Sequence, residues 1–232
     1  IPAFEKALEI GVDGFETDVH MSRDGVPVIC HNYTIDETSN GIGAISDMTL
    51  EQLRSYDFGS YFHDEFRGTK LPTLDEFLTL CATADIEIMN IELKTPLSGE
   101  KGIVKETLAA VKEHGLFDKL LISSFSPELL VECKRLDPAC KTGFLYSPDR
   151  KITYKKMLFG YVEFAKEIGA EYLHPHFSLV NKHYVKKLHD NGIGINVWTV
   201  DGDGIAKRML DCGVDGIITN VPDMINALVE RY

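Results

Sequence analysis

The sequence predicts an α/β fold, a TIM-type (β/α)8 barrel with a small cap inserted after its second strand, and three observations carry that prediction. Short β-rich runs alternate with helical stretches along all 232 residues. The helical stretches stop at glycines, namely Gly11, Gly115, Gly169, Gly192 and Gly213, as a left-handed C-cap requires. The junctions also repeat. Glu9-Ile-Gly-Val-Asp-Gly-Phe-Glu-Thr-Asp18 echoes Asp211-Cys-Gly-Val-Asp-Gly-Ile-Ile-Thr-Asn220, and Glu167-Ile-Gly-Ala-Glu-Tyr172 is a third copy. Alternation with short links indicates a parallel sheet, and regular repetition over this length favours closure of that sheet into a barrel.

Apolar spacing near 3.6 predicts helices at about 2–10, 73–83, 101–114, 126–136, 154–168, 181–190, 202–211 and 221–230. Strands fall between them at about 13–19, 86–93, 120–124, 141–145, 171–174, 193–198 and 215–218. The chain opens on a helix, whereas a (β/α)8 barrel opens on a strand. The first strand is therefore expected upstream of Ile1, with residues 1–232 forming one domain. A doubly wound open sheet competes with this reading, but no Gly-x-Gly-x-x-Gly fingerprint follows any strand.

One interval breaks the rhythm. About fifty residues separate the strand at 13–19 from the helix at 73–83, against the usual two to six. They hold a hairpin partner at 26–30, the Gly/Ser/Asn-rich run Ser39-Asn-Gly-Ile-Gly43, and a short helix capped by Thr49 with Gln52 three residues on. Residues 32–70 are expected to form a cap on the C-terminal face of the barrel, where the chemistry of such folds lies.

Composition narrows the function classes. A net charge of −12 excludes the basic surface of a nucleic-acid binder. No run of eighteen apolar residues exists to span a membrane. Cys30, Cys81, Cys133, Cys140 and Cys212 are scattered without metal-type spacing, and read as buried thiols in a reducing compartment, which points to the cytoplasm. The chain starts at Ile1 and not Met, so a signal peptide would lie outside it.

The chemistry concentrates at strand ends. Glu16 and Asp18 sit at i and i+2, on one face of a strand, with Phe15, Thr17 and Val19 opposite. Two acids side by side on an inner face repel and lose hydration unless a cation joins them. That favours a divalent metal with oxygen ligands, and His31, thirteen residues beyond Asp18, stands ready for proton transfer. In Asn90-Ile-Glu-Leu-Lys94, alternation sets Asn90, Glu92 and Lys94 on the inner face. Glu92 can complete an oxygen site and Lys94 can hold a phosphate oxygen, while a plain Glu92–Lys94 ion pair is the competing reading. His174-Pro-His176 and Trp198-Thr199 end two further strands, and Ser126 caps the helix that starts at Pro127, just after Phe125. A histidine at a strand end is as often a packing residue as a ligand, and a single Trp is core or pocket wall. His20 follows the strand of Glu16 and is expected in solvent.

These motifs together resemble the glycerophosphodiester phosphodiesterase family. The likeness runs through residues 4–38, then Leu71-Pro-Thr-Leu-Asp-Glu-Phe77, Asn90-Ile-Glu-Leu-Lys94, Ser123-Ser-Phe125, Val197-Trp-Thr199 and Asp215-Gly-Ile-Ile-Thr-Asn220. It covers essentially the whole chain. The resemblance implies hydrolysis of glycerophosphodiesters, such as glycerophosphocholine or glycerophosphoethanolamine, to sn-glycerol 3-phosphate and an alcohol. It implies Glu16, Asp18 and Glu92 as ligands of magnesium or calcium, His31 as one of two catalytic histidines, and Lys94 on the phosphate. Phe125, His174 and Trp198 would line the glycerol pocket. Two departures stand out. The family's first-strand His-Arg pair and its Pro-Glu-Asn-Thr motif belong before Ile1, so this chain is expected to keep a metal site but hydrolyse poorly. Asn32 follows His31, where the family usually has Asp. A phospholipase-D-like lipid phosphodiesterase on the same barrel, and a non-catalytic phosphoester-binding barrel, are the alternatives.

Overall fold

The computed structural model describes residues 1–95, 102–149 and 151–231, and of 151–159 the backbone alone. In chain order it forms α1 (Pro2–Ile10), β1 (Gly14–Met21), β2 (Pro27–Ile29), α2 (Leu50–Ser55), α3 (Leu74–Thr83), β3 (Ile88–Leu93) and α4 (Ile103–Glu113). There follow β4 (Leu120–Ser124), α5 (Pro127–Leu136), β5 (Lys141–Tyr146), α6 (Lys151–Ile168) and β6 (Tyr172–Pro175). Last come α7 (Lys182–His189), β7 (Gly194–Val197), α8 (Asp203–Cys212), β8 (Gly216–Ile217) and α9 (Pro222–Val229). Each expected element is present. Lys101, at the start of one predicted helix, lies outside the described residues. Contacts gather into two compact units: Ile1 with Phe15–Leu120, and Pro2–Gly14 with Leu121–Tyr232.

In the first unit, β1 alternates as its sequence requires. Phe15, Thr17 and Val19 are buried on one face, and Phe15 meets Phe77 of α3 edge-on at 5.8 Å. Glu16 and Asp18 take the other face. The strand then outlasts its expected end, because the turn at Gly25 (φ 80°) folds β2 back antiparallel, with His20 opposite Val28. Ile29 N donates to Pro72 O (2.9 Å), tying this hairpin to the start of α3.

The insertion between β2 and α3 has its own small core of Val28, Cys30, Ile35, Ile45, Leu53 and Leu71, with Met48, Leu50, Tyr56 and Phe58 packed around it. Burying such side chains offsets the ordering entropy of an irregular segment. Thr49 caps α2 in a reciprocal capping box with Gln52, and Thr73 caps α3 likewise with Glu76. Glu76 also accepts from Arg54 of α2, so one carboxylate fixes both the cap and the insertion.

In the second unit, β4 to β8 add in sequence order, each parallel to the last, from Leu121 beside Lys141 through to Val197 beside Ile217. No strand among these reverses the order, so the switch point of a doubly wound sheet does not occur here. Gly115, Gly169, Gly192 and Gly213 end their helices at φ between 69° and 78°, the left-handed C-cap their positions predict. Asn226 of α9 donates to the carbonyls of Ile10 (3.4 Å) and Gly11 (3.1 Å), closing the end of α1. Cys30, Cys81, Cys133 and Cys140 are free and buried, and Cys212 is half-buried.

Candidate active site

Three carboxylates converge in the first unit. Glu16 and Asp18 of β1 and Glu92 of β3 each present an oxygen, all within 4.8 Å of one another. Lys94 N donates to Val19 O (3.1 Å), which fixes the register that brings the β3 acid beside the β1 pair. Lys94 Nζ then lies 2.7 Å from Asp18 and 2.8 Å from Glu92. The ion pair that competes with the metal reading is therefore present, and it is shared between two acids.

The electrostatics are unbalanced. Ionised together, three carboxylates against one ammonium would leave two negative charges in a region where Glu92 and Lys94 are about nine-tenths buried, so the cluster resists full ionisation. Burial, then the charges of Asp18 and Glu92, hold the Glu16 carboxyl well above its ordinary value. Burial raises Glu92 to about 7 against the pull of Lys94. The Lys94 ammonium loses some stability to desolvation, but Asp18 and Glu92 more than compensate and raise it. A divalent cation would cancel the residual charge, and an all-oxygen donor set without thiolate or imidazole suits magnesium or calcium. Asn90, on the same face as Glu92, is buried with neither amide atom bonded among the described residues. The residues present thus fit a hard divalent ion.

His31 stands at the end of β2. Cys30 N donates to Asp18 O (3.1 Å), placing His31 one residue past that contact. Its side chain is exposed, and Nδ1 meets Asn32 Oδ1 at 2.7 Å. Asn32 Nδ2 donates to Glu37 Oε2 at 2.8 Å.

His20 corrects an expectation. The sequence places it in solvent beyond the strand, but the hairpin carries β1 over it and leaves it 7% exposed. Its ring meets Tyr33 edge-on at 5.0 Å and touches the main chain of His31. Desolvation, reinforced by Lys94, lowers it to about 4. It is a neutral buried wall beside the acids, and only the hairpin length, which alternation alone does not set, reveals it.

In the second unit, Phe125 and Trp198 pack edge-on at 5.6 Å. Trp198 Nε1 donates to His174 O (2.7 Å). His174, expected at a pocket wall, is instead sealed inside, wholly buried with Nε2 3.1 Å from Asn196 Nδ2. Burial lowers it to about 3. Gly143 makes the room, since a Cβ there would stand 2.5 Å from His174 Nε2. The histidine beside Trp198 with open surface is His176, ring to ring at 5.5 Å.

The glycerophosphoryl diester phosphodiesterase family model matches residues 1–224. The chain belongs to this family. A glycerophosphodiester phosphodiesterase of Caldanaerobacter subterraneus subsp. tengcongensis is 36% identical, over all of this chain and 91% of the relative. One of Bacillus altitudinis is 31% identical over 95% of this chain and 88% of its own. Among solved structures, an Oleispira antarctica phosphodiesterase in complex with sn-glycerol-3-phosphate superposes with a TM-score of 0.89, at 26% identity over 97% of this chain and 88% of that one. A Parabacteroides distasonis glycerophosphodiester phosphodiesterase gives 0.80 at 28% identity, over 98% and 88%. The glycerophosphoryl diester phosphodiesterases are enzymes, and this member shares their TIM-barrel-like α/β fold and phosphodiester hydrolase class. No helix among the described residues is long and apolar enough to cross a membrane.

Proposed function

We propose that this protein hydrolyses glycerophosphodiesters such as glycerophosphocholine and glycerophosphoethanolamine, using a magnesium or calcium ion held by Glu16, Asp18 and Glu92. The observation that supports this reading most is the carboxylate cluster with a lysine in its midst, three acids that one ammonium does not suffice to keep ionised. When bound, the cation neutralises the phosphate and the charge that builds up in the transition state. Lys94, which lies between Asp18 and Glu92, would hold a non-bridging phosphate oxygen. His31 moves the proton, as base toward the attacking oxygen or acid toward the leaving alkoxide. Overall, the oxygen of water bonds to phosphorus as the P–O bond to the alcohol breaks, the alkoxide takes up a proton and leaves as the alcohol, and sn-glycerol 3-phosphate remains. Phe125 and Trp198 supply the apolar face that meets the glycerol carbons. His174 holds Asn196 and the Trp198 indole in place, in keeping with its burial. The insertion at 32–70 caps the acids.

The test is turnover of glycerophosphocholine, followed by release of sn-glycerol 3-phosphate. Chelation abolishes it, magnesium or calcium restores it, and His31→Ala lowers kcat by on the order of 10²–10⁴. Full activity in chelator would sink the metal assignment, and a His31→Ala variant with undiminished kcat would sink the acid/base assignment. Turnover of lysophospholipids in preference to glycerophosphodiesters would point instead to the lipid phosphodiesterase alternative.

A further inference from the structure

We propose that Glu37 is a positioning residue for His31, acting through the Asn32 amide to hold the imidazole with its proton on Nδ1 and Nε2 bare. This proposal rests on the reading of His31 as the acid/base group. It extends that reading to two residues the departure at position 32 leaves unexplained.

Donors and acceptors decide how the chain of contacts points. A carboxylate only accepts, whereas an amide presents an oxygen on one side and an NH2 on the other. Glu37 Oε2 lies 2.8 Å from the Asn32 amide, so the NH2 must face it. The Asn32 oxygen then faces His31 Nδ1, at 2.7 Å. An oxygen acceptor there requires a proton on Nδ1, and the neutral ring keeps its lone pair on Nε2. Asparagine alone sets no such direction, since its amide can turn over and offer a donor instead. Glu37 supplies the direction. An aspartate at position 32 would do so directly, with no partner needed. Here the negative charge sits one hydrogen bond further out.

Glu37 is also held to this task. Thr38 N donates to Ile35 O (3.3 Å), and Ile35 is wholly buried in the core of the insertion. Gly43 N donates to Asp36 Oδ1 (2.8 Å), and Ile35 N to Gly43 O (3.0 Å). The turn that carries Glu37 is thereby anchored on both sides. The insertion does more than cover the site, because it delivers the residue that orients the base.

The experiment compares the full chain with Glu37→Gln and with the double variant Asn32→Asp/Glu37→Gln. A glutamine side chain is nearly isosteric with glutamate but accepts and donates alike, so the single variant loses the direction of the relay. In the double variant the carboxylate at position 32 only accepts and the amide at position 37 donates to it. The direction then returns, with the charge moved next to the imidazole. Ring-nitrogen NMR of histidine-labelled protein, with His31 assigned by its loss in His31→Ala, reads the tautomer without any substrate. The expected result is a single Nδ1–H tautomer in the native protein and the double variant, and a mixture in Glu37→Gln. Turnover follows: kcat in Glu37→Gln falls on the order of 10-fold with KM unchanged, and the double variant recovers it. An unaltered tautomer in Glu37→Gln overturns the proposal, as does a double variant no better than the single one. A clear tautomer change with undiminished turnover in His31→Ala would leave the relay standing and remove the acid/base reading.

Discussion

Glu92→Gln probes the electrostatic cost that the acid cluster carries without its cation, both that of Glu92 and the share Glu92 imposes on Glu16. Burial lifts the Glu92 carboxyl from an ordinary 4.5 to about 7. Each tenfold change in proton affinity is worth about 1.4 kcal/mol, so ionising this group in the folded, metal-free protein costs roughly 3 kcal/mol. Below pH 4.5 both folded and unfolded chains hold the proton, and glutamine and protonated glutamate are nearly alike. Between pH 4.5 and about 7 the unfolded chain has released the proton while the folded chain keeps it, so stability falls as pH rises. Other groups titrate in the same window in the opposite sense. His20, lowered to about 4, and His174, lowered to about 3, favour the folded state as pH rises toward 6.5. The difference between native protein and variant removes them. In urea unfolding with chelator present, the variant is expected to match the native protein at pH 4.5 and to exceed it by roughly 3 kcal/mol at pH 8. Saturating magnesium or calcium should reverse that order, since only the native cluster gains the full binding energy. A difference that stays flat, within about 1 kcal/mol from pH 4.5 to 8 in chelator, would refute the picture of an uncancelled buried charge.

Lys94→Met leaves the buried carboxylates without their ammonium and is expected to cost about 3–5 kcal/mol in chelator, a loss that added magnesium should shrink in the same urea measurement. Gly143→Ala sets a methyl 2.5 Å from His174 Nε2, and should lower stability by about 1–3 kcal/mol. A thermal midpoint unchanged from the native protein would show that the ring has room to move.

Much of this architecture is written in local pattern. The i, i+2 acids need only the pleat of β1, and the glycines after α4, α6, α7 and α8 need only a left-handed C-cap. Thr49 and Gln52 announce their helix by the reciprocal cap that the structure contains. What the pattern hid depends on distance along the chain. His20 is buried because β2 returns over it, and no periodicity says where a hairpin turns. Lys94 reads as one partner of Glu92, yet it also binds Asp18, which lies 76 positions away in sequence and next door in the sheet. His174 looks like a rim residue until Gly143, on the neighbouring strand, is seen to clear space for it inside. Glu37 lies in an irregular segment, where donors and acceptors decide the neighbours and hydrophobic spacing has no say.

The clasp of Asn226 on Ile10 and Gly11 bears on how the protein is made. Those partners are 216 and 215 positions apart. At 5–20 residues per second, synthesis separates them by about 10–40 s. Through that interval α1 is already translated, with an amphipathic face and no α9 to receive it. Helix formation alone takes about a microsecond, so the wait is long by many orders of magnitude. α1 emerges long before the helix it docks on, and the nascent chain relies on whatever shields that face until α9 arrives.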